Sequence, residues 1–232
     1  MRTASLFFVA LFTLAFSIGA FAQEPDEGDI QFWNETKIYF PSITRTDKDG
    51  KKVKFISPHI MGTLRLGQDV RHFVGERIGF GFDIRLNDNF KFTPSYYYIA
   101  EQAVKNSKSF EHRLRFDLTG EKKWKNFSLS DRNRIEYRIK NSKSDSVRYR
   151  NKVKVKFPVK KDGKEMFSPF IADEPFYDFQ KKEWSRNEFS AGIEKKFTKK
   201  FSAEFFYMLQ NNTGSRLRNV NIAGINLKFT ID

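Results

Sequence analysis

Between Phe110 and Phe157 the chain alternates, position by position, between apolar and ionic side chains. The alternation fills three runs, 110–118, 130–139 and 147–157. Successive side chains leave opposite faces of a strand, so this pattern predicts β-strands. One face carries Phe110, Leu114, Phe116, Leu118, Ile135, Tyr137, Ile139, Val147, Tyr149, Val153, Val155 and Phe157. The other carries Glu111, Arg113, Arg115, Asp117, Arg132, Arg134, Glu136, Arg138, Arg148, Arg150, Lys152, Lys154 and Lys156. Two surroundings are implied, one oily and one wet. A soluble sandwich shares the pattern, but runs of about ten residues suit the ~9–11 residues of a tilted membrane strand better than the ~5–6 of a soluble one.

The opening residues favour the membrane. Met1-Arg2 supplies a positive charge ahead of an apolar run from Leu6 to Ile18, which stops at Ala20-Phe21-Ala22. This is the pattern of a secretory signal peptide over 1–22, with Gln23 first in the mature chain, and the run is short of the ~18 apolar residues of a spanning helix. Every later segment is interrupted by charge within a few residues, so a membrane form must be a barrel. The expected organisation is a signal peptide over 1–22, a polar tail over 23–29 and one all-β unit over 30–232, a single antiparallel transmembrane β-barrel.

Composition fits this reading. With 27 Phe and 8 Tyr the chain is rich in aromatics, yet 30% of its residues are charged; barrels hide apolarity in alternation. The absence of cysteine excludes disulfide staples and thiolate chemistry. A net charge of +14 raises nucleic acid as a partner, but the basic residues recur at period two along many strands rather than in one patch, and the export signal argues against it. No nucleic acid partner is expected.

Further strands are expected at 30–40, 53–66, 77–86, 90–100, 166–172, 187–197, 201–210 and 220–231. With the three central runs this makes eleven, whereas bacterial barrels have an even number; the expectation is therefore ten to twelve. Connections 87–89, 120–126, 158–165 and 198–200 read as short, and 101–109, 141–146, 173–186 and 211–219 as mostly longer. That alternation matches periplasmic turns and outer loops, and puts the carboxyl end in the periplasm.

The run Glu111-His112-Arg113, the strand Arg132-x-Arg134-x-Glu136-x-Arg138, Arg148-Tyr149-Arg150, Asp173-Glu174-Pro175-Phe176 and Arg186-Asn187-x-x-x-x-Gly192 together resemble the bacterial outer-membrane family called domain of unknown function 2490. The likeness runs from Trp33 to the last strand. It implies a small barrel in the bacterial outer membrane without assigned chemistry, with outer-membrane lipid and the barrel assembly machinery as partners. The closing strand has the apolar period Ala223, Ile225, Leu227, Phe229, Ile231, although its penultimate residue is Ile231 where such barrels commonly end on an aromatic.

The ionic face supplies the candidate site, a lumen charge network of Arg77, Asp83, Arg85, Glu111, Arg113, Arg115, Asp117, Arg132, Arg134, Glu136, Arg138, Arg148, Arg150, Lys152, Glu174, Arg186 and Glu188. A turn near Lys123 sets Arg115 opposite Arg132 and Arg113 opposite Arg134, and the next sets Glu136 near Arg150 and Arg138 near Arg148. Two readings follow: a salt-bridged interior that fills a narrow barrel, or a basic channel selective for small anionic solutes. Water-filled porins use ~16–18 strands, which weighs against free conduction here.

A lipid hydrolase would need a serine beside a histidine. Ser57 and His59 share one face of a strand and are the best match, though no Gly-x-Ser-x-Gly elbow accompanies them. His112 falls on the lipid face and His72 in a loop. No His-x-x-x-His pair exists, and Asp47-Lys48-Asp49-Gly50 is a fragment of a calcium loop that reads as a turn. No metal or cofactor is expected. Asp173 to Phe179 mixes acids and aromatics, with Glu174 expected to turn inward.

Overall fold

The computed structural model describes residues 28–47, 49–104, 107–141, 144–213 and 218–231. The expected signal peptide lies outside the described residues. Thirteen strands follow one another: β1 (Gly28–Tyr39), β2 (Ile43–Thr46), β3 (Lys52–Gly67), β4 (His72–Arg85), β5 (Phe90–Val104), β6 (Ser107–Lys123), β7 (Ser128–Lys140), β8 (Ser146–Lys156), β9 (Val159–Lys161), β10 (Lys164–Asp178), β11 (Glu183–Lys196), β12 (Phe201–Asn212) and β13 (Asn219–Thr230).

Two of them, β2 and β9, are short extensions that pair only with β3 and β10, leaving eleven of the thirteen to form the wall. From β3 to β13 each wall strand pairs antiparallel with the next. The ring closes through β1, which runs antiparallel to β3 and parallel to β13. Closure gives each wall strand neighbours on both sides, so no edge is left to expose unpaired backbone groups to lipid. The odd number thus comes from the Ile30 segment lying in the wall, between β13 and β3.

The faces fall as alternation requires. Ile78 is 66% exposed outward and Glu136 0% exposed inward, the inverse of a soluble protein. Aromatic pairs ring both ends of the apolar belt. Tyr98 stacks on Phe110 and Tyr177 meets Trp184 edge-on at the upper rim, while Trp124 stacks on Phe127 and Phe201 on Phe229 at the lower rim. His112 faces outward within the upper group, hydrogen-bonded to the Tyr96 hydroxyl at 2.7 Å.

Two sequence expectations need correction. The connection expected over 173–186 is mostly strand: β10 continues to Asp178, β11 starts at Glu183, and the turn between them has Lys182 at a φ of 56°. Pro175 is accommodated because β10 and β8 skip pairing there and the β10–β11 register shifts at Phe176/Tyr177, as at a bulge. With this connection and that over 101–109 shortened, loop length loses most of its power to orient the barrel. The turn at 87–89 is set by the Asn87 side chain, which accepts from the Asn89 and Phe90 amides at 2.9 and 2.8 Å.

The register also differs. Arg115 pairs with Glu136 and Asp117 with Arg134, a slip of four residues from the expected pairing, and Glu136 pairs with Arg148 across the next hairpin, a slip of two. Even slips leave both faces unchanged, so apolar patterning cannot choose among them. Opposite charges narrow the choice: the adopted register sets Arg115 against Glu136, Asp117 against Arg134 and Glu136 against Arg148, while the like pairs Arg113–Arg138 and Arg132–Lys152 each share a carboxylate, Glu111 and Glu174.

Candidate functional site

The inner wall of β6, β7, β8 and β10 holds one connected ionic network centred on Glu136. Its carboxylate lies 2.6 Å from Arg148, 3.2 Å from Arg150, 3.6 Å from Arg113, 3.8 Å from Arg134 and 4.0 Å from Arg115. Around it Arg134 grips Asp117 with two parallel bonds of 2.7 and 2.6 Å, the fork geometry that suits guanidinium to carboxylate. Glu111 accepts from Arg113 at 2.6 Å and from Arg138 at 2.8 Å. Glu174 does point inward, and takes Arg132, Arg150 and, at 3.8 Å, Lys152. Glu188 extends the chain to Arg150 and Arg186, each at 3.6 Å.

Other members of the expected network sit apart from this centre. Arg77 pairs with Glu101 at 2.7 Å, with Arg65 4.0 Å from the same carboxylate. Arg85 lies at the lower rim on Asp88, 2.6 Å away, and does not join the centre. Asp83 forms a third cluster, accepting from Tyr39 at 3.0 Å, Lys91 at 2.7 Å and Thr93 at 2.8 Å.

Phe176 is the chief residue that sequence reasoning left unassigned. It is buried in the lumen, and the guanidinium carbons of Arg150, Arg148 and Arg186 stand 3.9, 4.9 and 5.6 Å from its ring centre. The ring face favours cations while offering no hydrogen-bond acceptor, so it holds arginines in place without neutralising them. Period two counted from Glu174 would have placed it inward. Tyr97 does the same for Arg115, at 4.2 Å.

The network borders a cavity of about 270 Å³ whose lining includes Arg113, Arg115, Arg132, Arg134, Arg148, Arg150, Lys152 and Arg186, against the carboxylates of Glu35, Asp83, Asp117, Glu174 and Glu188. Among the described residues the buried Nε atoms of Arg65, Arg77, Arg115 and Arg132 have no hydrogen-bond acceptor. The cavity lining carries more cationic side chains than carboxylates. A second cavity of about 370 Å³ opens at the lower rim beside Asn87, Asp88 and Asn89, and shares Asp83, Lys91 and Thr119 with the first.

Ser57 and His59 both face inward from β3 without bonding to each other through their side chains. The Ser57 hydroxyl is 2.8 Å from that of Ser42, and His59 Nδ1 is 3.4 Å from the Ser57 backbone carbonyl and 3.9 Å from Asp83. His59 Nε2 has no partner, and lies against Gly81, where an added Cβ would come within 2.9 Å of it.

Two solved structures are similar to this chain. The NanC porin aligns with a TM-score of 0.48 at 11% identity, over 88% of this chain and 99% of its own. LpxR from Salmonella typhimurium aligns with a TM-score of 0.45 at 8% identity, over 82% of this chain and 86% of its own. No curated protein matches the chain. The family described as "Protein of unknown function (DUF2490)" matches residues 49–221, and the chain belongs to that family.

Proposed function

We propose that this protein is a bacterial outer-membrane barrel that binds a small anion in a lumen closed to bulk flow. The single observation behind the reading is Glu136: one fully buried carboxylate within 4.0 Å of five guanidiniums. That arrangement occupies the middle of the lumen, and it leaves the adjacent cavity lined by more cations than carboxylates. An anion of phosphate or carboxylate type entering there meets fixed donors whose desolvation has already been met by folding. The apolar belt and its aromatic rims support an outer-membrane location, with outer-membrane lipid around the wall and the barrel assembly machinery as the route in.

The test is a pair of measurements on protein folded into bilayers. In planar membranes the wild type is expected to show no steady ohmic current, and inorganic phosphate or sulfate is expected to raise its unfolding temperature while choline at equal ionic strength does not. Arg115→Gln should weaken the anion effect. Stable conductance, or equal responses to anion and cation, would sink the reading. An anion-selective pore is the second reading, favoured by one observation: Asp83, Lys91 and Thr119 line both cavities. Current with anion selectivity would establish it in place of the first.

A further inference from the structure

Most charges of the lumen meet their opposites, but several that line the cavity of about 270 Å³ from β1 and β6 do not. Glu35 and Lys37 line it from β1, both half-buried, and among the described residues neither side chain makes a hydrogen bond or an ion pair within 4.0 Å. Spacing is not the reason. Glu121 and Lys123, the same two residue types in the same order on β6, close to 3.4 Å, and Glu111 and Arg113, again two apart on that strand, close to 2.6 Å. Glu35 and Lys37 stand open where this spacing elsewhere brings the charges together.

Arg115 lines the same cavity from β6, with β3, β4 and β5 between it and β1. Its guanidinium lies 4.2 Å from the centre of the Tyr97 ring, a face that holds a cation without accepting its hydrogen bonds. The Glu136 carboxylate stands 4.0 Å from its Nε, and among the described residues none of its guanidinium nitrogens has a hydrogen-bond acceptor. Ser95, in register with Arg115 on β5, adds a hydroxyl to the lining that has no partner either. The cavity thus carries donors for a carboxylate on one side, and on the other a carboxylate beside a lysine.

We infer that the small anion of the proposed function, a reading on which this inference rests, also carries a protonated amine: it is an acidic amino acid, held by a carboxylate at Arg115 and Ser95 and by its ammonium at Glu35. An anion without a cationic group would leave Glu35 facing negative charge in a closed lumen, where repulsion is poorly screened. An ammonium turns the same glutamate into a partner. The charges agree, since Arg115 and Lys37 set against Glu35 are the complement of a molecule with two carboxylates and one ammonium.

Glutarate, which is glutamate without its amine, provides the test. It carries more negative charge than glutamate, so a lumen that reads charge alone binds glutarate more tightly. In titration calorimetry of the full-length barrel folded in detergent micelles at neutral pH, L-glutamate is expected to bind about tenfold more tightly than glutarate, the scale of one hydrogen bond to a charged group. Glu35→Gln is expected to abolish that preference while the response to inorganic phosphate persists. The inference is overturned if glutarate binds the wild type as tightly as glutamate, if neither binds where phosphate does, or if Glu35→Gln keeps the preference. Should phosphate fail as well, the anion-binding reading falls and takes the inference with it. If Glu35→Gln does not fold, the order of the two ligands on the wild type decides.

Discussion

The wall formed by β6, β7, β8 and β10 and the seam formed by β13, β1 and β3 solve the same problem by different means. In the first, every pairing is antiparallel and the inner face is ionic, its carboxylates held by arginines even where arginine lies across from arginine, as at Arg113–Arg138 and Arg134–Arg150. In the second, β1 runs parallel to β13, and Trp33, Val220 and Ile222 pack with Met208 and Phe206 of β12 into an apolar cluster, beside the buried polar side chains of Asp29, His59 and Thr63. Glu35 and Lys37 also face the lumen from β1, yet neither forms an ion pair within 4.0 Å among the described residues. Parallel pairing is slightly weaker per residue than antiparallel. The seam therefore leans on apolar packing, and the wall on charge complementarity that also fixes its register.

A comparison of topology sharpens this. Since β1 is antiparallel to β3 and parallel to β13, those two strands are antiparallel to each other. The ten strands other than β1 already have the alternating sense of an even barrel, and β1 is a wedge in its closing joint. The wall specifies the barrel, while the seam completes it.

If the wall rests on Glu136, its loss should have the largest effect. Glu136→Ala leaves five guanidiniums with no central carboxylate, and removing one partner of a buried pair costs about 3–5 kcal/mol. Urea unfolding from bilayers is expected to show a midpoint lowered to match, with Glu136→Gln intermediate because its amide oxygen still accepts. A change below about 1 kcal/mol would mean that water already solvates these arginines, and the contrast with the seam would collapse.

What the sequence revealed follows the same division. The inward parity of Arg113, Arg134, Glu136 and Arg150 is legible because alternation has a period of two and tolerates no other assignment. Their partners are not legible, because slips of two or four residues preserve that parity; only the pairing of Asp117 with Arg134, and of Glu136 with Arg148, selects among them. Phe176 was hidden by Pro175, which reads as a strand stop until the skipped pairing beside it is seen. The parallel seam was not legible at all, since the amphipathic pattern of β1 carries no information about strand direction. Asp131, Asn133 and Asn151 break the apolar face of β7 and β8, an interruption that reading these runs as uniform alternation passes over.

Packing at the seam can be tested at Gly224, which stands between Trp33 and Phe206 in register. A Cβ there would lie 2.1 Å from the tip of the Phe206 ring. The ring has to swing toward the lumen, so Gly224→Ala is expected to destabilise by about 1–3 kcal/mol, as overpacking does. The smallest effect is expected from Glu35→Gln, in the same strand as Trp33. It removes a charge with no cation within 4.0 Å among the described residues, and should lower the unfolding free energy by less than about 1 kcal/mol, the range of weakly coupled charges. The ratio between this substitution and Glu136→Gln is the sharper measurement, because both replace an inward glutamate by its isosteric amide. A large ratio means that the ionic lattice ends before the seam begins; equal losses would mean that Glu35 is tied to Arg115 and Arg134 through water, and that the lattice encircles the whole lumen.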